Sequence, residues 1–357
     1  MAILKLDVFA VRNIQSATIH PSPAINLITG ANASGKSALL EAVFLLGRAK
    51  SFRTTHIRQA ISFEHACLTV AAQTSMNNAS VSTIGIQVDS KQYEIHIDME
   101  NRHKADLAYA LPVQLIHPKS YRLLDGGPQN RREFLDWGIF NQHKMFLPSW
   151  RKFSKALHQR NVLLKSRQFG QLAAWDKELI EYGEIINRFR RQYIQTLQPV
   201  FMEMASHFLA CSEIDLKFYA GWDEAQGFAQ ILQLYHEKDM RYGYTQYGPH
   251  RADFLTYLNK RPAKDYLSRG QQKLLVLALL LSQVKLLNEI MHTSCCILID
   301  DLAAELDTEN RLKLLKYLSV LGCQVFMTAT NISDFGDLSN IQNYKMFHVE
   351  QGSIKEL

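Results

Sequence analysis

The sequence predicts an α/β fold of mixed sheets with flanking helices, interrupted by a mainly helical insertion, and three features carry that prediction. A β-branched apolar run, Ile25 to Thr29, passes through a glycine-containing loop into a helical run that ends near Leu46. A second apolar run begins at Ser294 and ends in Asp300-Asp301. Between them, from about residue 131 to 240, apolar side chains recur at the three- and four-residue spacing of helices. The expected division is a head formed by 1–115 and 243–357, with an inserted helical lobe at 116–242.

Residues 1–14 alternate apolar and polar side chains like a half-buried strand, and lack the basic start, apolar centre and small-residue cleavage site of a secretory leader. The longest apolar run, Leu274 to Leu281, is far short of the roughly 18 residues that suggest a membrane span. A cytoplasmic protein without a membrane segment is therefore expected. A chain of 357 residues with 47% hydrophobic composition can bury one large core or two smaller ones. Its five cysteines (Cys67, Cys211, Cys295, Cys296, Cys323) show no paired metal-ligand spacing, so neither a zinc site nor a disulfide framework is indicated. The net charge of +6 is compatible with a phosphate-rich partner without demanding one.

The loop Gly30-Ala31-Asn32-Ala33-Ser34-Gly35-Lys36-Ser37 fits GxxxxGK(S/T) between a strand and a helix. Its glycines allow backbone N–H groups to turn inward around phosphate oxygens, and the helix N-terminus adds partial positive charge. Lys36 is expected to reach the β and γ phosphates of ATP, and Ser37 to place its hydroxyl on Mg²⁺. The metal also needs an acidic partner at the end of a buried strand, which Asp300 supplies. Asp301 is then expected to polarise the attacking water as general base.

Upstream of that acidic strand, Leu267-Ser268-Arg269-Gly270-Gln271-Gln272-Lys273 precedes a Leu-rich helix running from Leu274 to Leu287. Ser268 reads as the N-cap, and Gly270 with the free N–H groups of the first turn makes a second anion site. Two phosphate-binding helix starts in one chain resemble the ABC-type ATPases that include the SMC proteins. In those, the Ser-x-Gly-Gln signature of one subunit closes on the γ-phosphate held by another, which implies that Ser268, Arg269, Gly270 and Gln271 act in trans. The resemblance continues through Ala304-Glu305-Leu306-Asp307, the loop that crosses the dimer interface, with Asp307 its key residue. Gln114, in the strand-like Val113-Gln114-Leu115-Ile116, stands in the place of the metal-coordinating glutamine, an exposed strand residue being the alternative. The strand from Gln324 to Met327 ends in Thr328-Ala329-Thr330, where many ABC ATPases carry a γ-phosphate-sensing histidine. Asp301 stands where a glutamate is common.

These motifs, together with Gly126 to Trp137 and Tyr247 to Phe254, resemble the RecF family of bacterial DNA-repair ATPases over essentially the whole chain. The resemblance implies an ABC-type P-loop head that dimerises on ATP around single-stranded DNA and gapped duplex, and releases it on hydrolysis. It also implies RecO and RecR as partners in loading RecA at gaps, with roles in replication restart and SOS induction. The aspartate and the missing histidine imply slow, DNA-stimulated turnover. A transporter-type ATPase subunit, or a DNA module that binds ATP without cleaving it, are the competing readings.

Helices are expected at Arg131 to Phe140, Met145 to Leu164, Leu172 to Phe208 and near Phe228 to Tyr235. Trp137, Trp150, Trp175 and Trp222 are expected in the core. Between Arg151 and Trp175 stand six basic residues (Arg151, Lys152, Lys155, Arg160, Lys165, Arg167) and no acid. Helical spacing places Lys152, Lys155 and Arg160 on related turns where they could track a phosphate backbone, or simply form a solvated face. A second basic cluster, Arg48, Lys50, Arg53 and Arg58, suits either nucleotide or DNA. His250 and Arg251 have no partners at metal spacing and are expected to be structural or interface residues.

Overall fold

The computed structural model describes residues 1–75, 80–209, 213–291, 295–301, 306–339 and 341–357. In chain order, β1 (Ala2–Val11), β2 (Ile14–Ile19) and β3 (Ile25–Thr29) precede α1 (Lys36–Arg48). Then come β4 (Cys67–Ser75), β5 (Val81–Asp89), β6 (Tyr93–Ile97), β7 (Glu100–Asn101), α2 (Lys104–Ala110) and β8 (Val113–Ile116). The next stretch holds α3 (Arg122–Asp125), α4 (Pro128–Gln142), α5 (Phe146–Lys165), α6 (Leu172–Leu209), β9 (Ile214–Tyr219), α7 (Phe228–Leu234) and α8 (His236–Tyr242). After these follow β10 (Asp253–Leu258), β11 (Arg261–Pro262), α9 (Ala263–Tyr266) and α10 (Arg269–Met291). The chain ends with β12 (Cys296–Ile299), α11 (Thr308–Val320), β13 (Val325–Thr328), β14 (Tyr344–Glu350) and β15 (Ser353–Glu356).

Two compact units result: Met1–Ser120 with Leu287–Leu357, and Tyr121–Leu286. The expected boundaries differ at the second junction. Residues 243–286 stay with the inserted lobe because β10 is hydrogen-bonded along its length to β9, from Asp253 opposite Tyr219 to Leu258 opposite Ile214. This small sheet, in the order β11-β10-β9, had no counterpart in the helical reading of the lobe.

The first unit holds two six-stranded sheets. One, antiparallel, runs β2-β1-β4-β5-β6-β7, and its strands alternate buried and open positions as β4 and β5 illustrate. The other runs β15-β14-β3-β13-β12-β8, parallel apart from the β14–β15 hairpin. Helix α1 packs into one hydrophobic cluster with residues of both sheets: Leu6, Val70 and Ile86 from the first, and Ile28, Leu298 and Phe326 from the second. A helix covered on every side needs apolar residues all round, which is why Ala38 to Leu46 carries no polar stripe. Gly47 completes the fit: a Cβ there would stand 2.2 Å from the Val113 side chain.

In the second unit α5 and α6 form a helical pair whose buried side chains include Phe153, Ala156, Leu179, Ile186 and Phe201. Each Leu, Ile or Phe buried in such a core contributes about 1.5–3 kcal/mol, ample for a 38-residue helix to form around its internal Pro199. Trp137 and Trp222 are buried as expected, whereas Trp150 is 41% exposed on α5.

Candidate nucleotide site

The phosphate loop leaves the buried carboxyl end of β3 and enters the buried helix α1. Gly30 has φ 150° and lies so close to β14 that a Cβ would stand 2.2 Å from the Val349 carbonyl oxygen. Gly35, at φ 123°, is the N-cap of α1 and provides no side-chain cap, so the first-turn N–H groups are left for another acceptor. Lys36 is buried, and its Nζ donates to the carbonyls of Gly30 at 2.6 Å and Ala31 at 2.9 Å, across its own loop. Burial holds the Lys36 ammonium below the usual lysine range, while the carboxylates of Asp301 and Asp300 pull it back up.

Strand order puts β13 between β3 and β12, and the acidic strand end thereby meets the start of α1. Ser37 Oγ donates to Asp300 Oδ1 at 2.9 Å, a contact between residues 263 positions apart. Thr328 Oγ1, at the end of β13, donates to the same Oδ1 at 2.9 Å and accepts from the Asp301 N–H at 3.0 Å. A threonine thus occupies the strand end where a sensor histidine is absent, and one hydroxyl ties both aspartates in place. Asp301 is exposed and adopts φ 51°, an unfavourable conformation for a side chain with a Cβ. The Ser37 hydroxyl and Asp300 carboxylate are hard oxygen donors pointing at one another, a donor set that fits Mg²⁺.

Four residues of this site were not found by motif. Arg12 and Asn13 form the tight turn between β1 and β2. Arg12 makes a two-pronged ion pair with Glu41 of α1, Nε to Oε2 and Nη2 to Oε1, both at 2.8 Å. Glu41 is fully buried and also accepts from Ser51 Oγ. Its signal was present in the sequence as a lone acid inside an otherwise apolar helical run, which must find a cation. Asn13 Nδ2 donates to the Ser34 carbonyl at 2.9 Å, and the Gly352 N–H donates to the same oxygen at 2.7 Å. No local pattern announces that pair, because it joins both ends of the chain to the loop.

The signature segment forms a capping box at the start of α10: Gln271 N–H donates to Ser268 Oγ at 3.3 Å, and Ser268 N–H to Gln271 Oε1 at 3.0 Å. Ser268, Arg269, Gly270 and Gln271 are all exposed. Asp307 is the N-cap of α11, accepting the Asn310 N–H at 2.8 Å; that bond and the Asn310 side chain hold its carboxyl below the usual range. Ala304 and Glu305 of the same loop lie outside the described residues, as do Ser294 and Cys211.

Two expectations need correction. Gln114 is buried, not exposed, and lies opposite Ile297, three residues short of Asp300. Strand side chains alternate between faces, and its neighbours Val113 and Leu115 pack with α1 and Leu298, so Gln114 projects from the face opposite α1 and the Ser37–Asp300 contact. It therefore does not face the Ser37–Asp300 contact. Arg160 is fully buried, donating to Asp176 Oδ1 at 2.6 Å, Asp239 Oδ2 at 2.7 Å and Thr245 Oγ1 at 2.8 Å, and so cannot track a phosphate backbone. Lys152 and Lys155 are exposed, each over an aromatic ring of α6: Lys152 on Tyr182, with Glu181 and Glu178 nearby, and Lys155 on Trp175. In the second basic cluster Arg58 donates to the Lys91 carbonyl and Arg53 stands 4.0 Å from Glu41.

The RecF/RecN/SMC N terminal domain family model matches residues 2–355. The DNA replication and repair protein RecF of Pseudomonas aeruginosa strain LESB58 is 41% identical over 361 residues, covering 100% of this chain and 98% of the relative. That of Pseudomonas entomophila strain L48 is 40% identical over the same shares. Among solved structures, that of the recombination mediator protein RecF-ATPrS in the RecFOR pathway superposes with a TM-score of 0.89 at 25% identity, covering 99% of this chain and 98% of that one. The Smc head bound to the C-winged helix domain of ScpA superposes with a TM-score of 0.59 at 14% identity, covering 100% of this chain and 97% of that one, a likeness of fold alone.

Proposed function

The chain belongs to the RecF family within the RecF/RecN/SMC group, and from that premise we propose that it is an ATP-hydrolysing DNA-repair protein whose ATP acts as an assembly signal. The observation that carries this reading is the 2.9 Å contact between Ser37 of the phosphate loop and Asp300 of the acidic strand. Binding falls to the N–H groups of Gly30 to Ser37 and to Lys36, which must turn from the Gly30 and Ala31 carbonyls toward the β and γ phosphates. Mg²⁺, held by Ser37 and Asp300, would neutralise charge on the β and γ oxygens.

Asp301, exposed beside that pair, takes the role of general base. Its carboxylate accepts a proton from water as the water oxygen bonds to the γ phosphorus, and the bond to the β-phosphate bridging oxygen breaks to leave ADP and phosphate. The exposed Ser268, Arg269, Gly270 and Gln271 of a second copy are assigned to the γ-phosphate, and Asp307 to the loop that meets that copy. DNA stimulates turnover in this reading, with Arg151, Lys152 and Lys155 the basic stretch open to phosphate oxygens. RecO and RecR are the proposed partners in loading RecA at single-stranded gaps, since the RecF of the solved relative is placed by its description in the RecFOR pathway.

Sedimentation with and without ATP and gapped DNA tests the proposal. A shift from monomer to dimer that requires ATP is expected, and Lys36→Ala should abolish it, while Asp301→Asn should retain the dimer and lose hydrolysis. A monomer under every condition overturns the assembly reading. ATPase activity indifferent to gapped DNA overturns the DNA-coupled one.

A further inference from the structure

The phosphate loop is gripped from outside by two turns that no motif contains. One is the turn between β1 and β2, whose Asn13 Nδ2 donates to the Ser34 carbonyl at 2.9 Å and reaches the Ala33 carbonyl at 3.4 Å. The other is the turn between β14 and β15, whose Gly352 N–H donates to the Ser34 carbonyl at 2.7 Å. The two turns also touch each other. Gly352 has φ 82°, and a Cβ on it would stand 2.0 Å from the Asn13 carbonyl oxygen, so only glycine brings this backbone close enough to donate. Val349, just before the turn, crowds the loop at both glycines: its carbonyl oxygen would be 2.2 Å from a Cβ on Gly30, and its Cγ1 3.3 Å from one on Gly35.

We infer that Asn13 and Gly352 are positioning residues for nucleotide binding, acting through the Ser34–Gly35 peptide. Among the described residues no peptide bond is cis. In a trans peptide the carbonyl and the following N–H point in opposite directions, so two donors that hold the Ser34 carbonyl outward turn the Gly35 N–H inward, to the concave side of the loop that receives phosphate. A glycine-bearing loop has little preference of its own for one peptide orientation, since Gly35 tolerates many backbone angles. The clamp supplies that preference and removes the ordering cost from the binding step. The C-terminal hairpin is therefore part of the nucleotide site through its backbone.

This inference rests on the nucleotide reading of the loop, and its test separates the two. Full-length wild type, Asn13→Ala and Gly352→Ala are titrated with adenosine 5′-(β,γ-imido)triphosphate in Mg²⁺ buffer, and the melting temperature of each nucleotide-free protein is recorded alongside. Losing one hydrogen bond of this kind should raise Kd about five- to tenfold in each variant. Melting of nucleotide-free Asn13→Ala should change little, because its bond orders a loop rather than a core, whereas Gly352→Ala also forces a Cβ against the Asn13 carbonyl and should melt lower. The double variant should lose less than the product of the two single losses, since both donors share one acceptor. Unchanged Kd in the folded variants, or a Kd of Asn13→Ala that worsens only in step with its melting, overturns the inference while leaving the nucleotide reading intact. If Gly352→Ala fails to fold, Asn13→Ala decides alone. Wild type that does not bind the nucleotide overturns both.

Discussion

His250 lies beside three arginines, and its Nε2 is 3.0 Å from the Thr245 carbonyl. Burial, and then the charges of Arg251, Arg132 and Arg190, push its imidazole down from 6.5 to about 4, although the Thr245 carbonyl favours the charged ring. Protonation is thus easier in the unfolded chain than in the folded one. The neutral ring's contribution to stability is present above pH 6.5 and is lost as pH falls from 6.5 toward about 4. Between pH 7 and pH 5 the unit from Tyr121 to Leu286 should lose about 2 kcal/mol, and His250→Gln should flatten that slope in urea titrations at the two pH values. A wild-type midpoint independent of pH would contradict this. The sequence shows that His250 and Arg251 lack metal partners; it does not show that the ring is half-buried, because burial depends on which helices cover it.

Among the elements, α5, α6 and α8 are joined by Arg160. Its guanidinium bridges the half-buried Asp176 of α6 and the buried Asp239 of α8, and the burial of Arg160 and Asp239 follows from helix packing. Burial raises the Asp239 carboxyl from its usual range even with Arg160 pulling it down. Arg160→Ala leaves these carboxylates without their cation and should destabilise the unit by about 3–5 kcal/mol in chemical unfolding. The loss should shrink at acid pH, where protonation of Asp239 relieves the uncompensated charge. An unfolding free energy within about 0.5 kcal/mol of wild type, the range of surface substitutions, would return Arg160 to the surface role that helical spacing suggested. That spacing placed it beside Lys152 and Lys155 on α5, and periodicity could not tell which side of the helix met α6. Other elements were legible to within a few residues: β3 and β8 by their apolar runs, and α5, α6 and α7 by their helical spacing. The sheet β11-β10-β9 was missed because its short strands sit among helical stretches and pair across more than thirty positions, as Tyr219 with Asp253 does.

Across the whole molecule, the first unit closes on itself through residues at opposite ends of the chain. Gln324 is buried and acts as a staple: its Oε1 accepts from the Ile3 N–H at 2.7 Å, and its Nε2 donates to the carbonyls of Ile3 at 2.9 Å and Ser22 at 2.8 Å. Gln324→Ala should leave buried backbone groups of β1 without partners and cost about 2–4 kcal/mol, read as a lowered melting temperature of the full chain. A change of less than one degree would show that water or a shifted strand replaces all three bonds.

The same long-range closure separates what was readable from what was not. The phosphate loop, the acidic strand and the helix cap at Ser268 are local chemistry, written in consecutive residues whose backbone preferences and hydrogen-bonding atoms act over one or two turns. The face that Gln114 presents, the burial of Arg160, the Arg12–Glu41 pair and the grip of Asn13 and Gly352 on Ser34 depend on strand register and helix packing between segments tens to hundreds of residues apart. Such contacts leave no period in the sequence, since neither partner constrains its own neighbours, and only the folded chain brings them together.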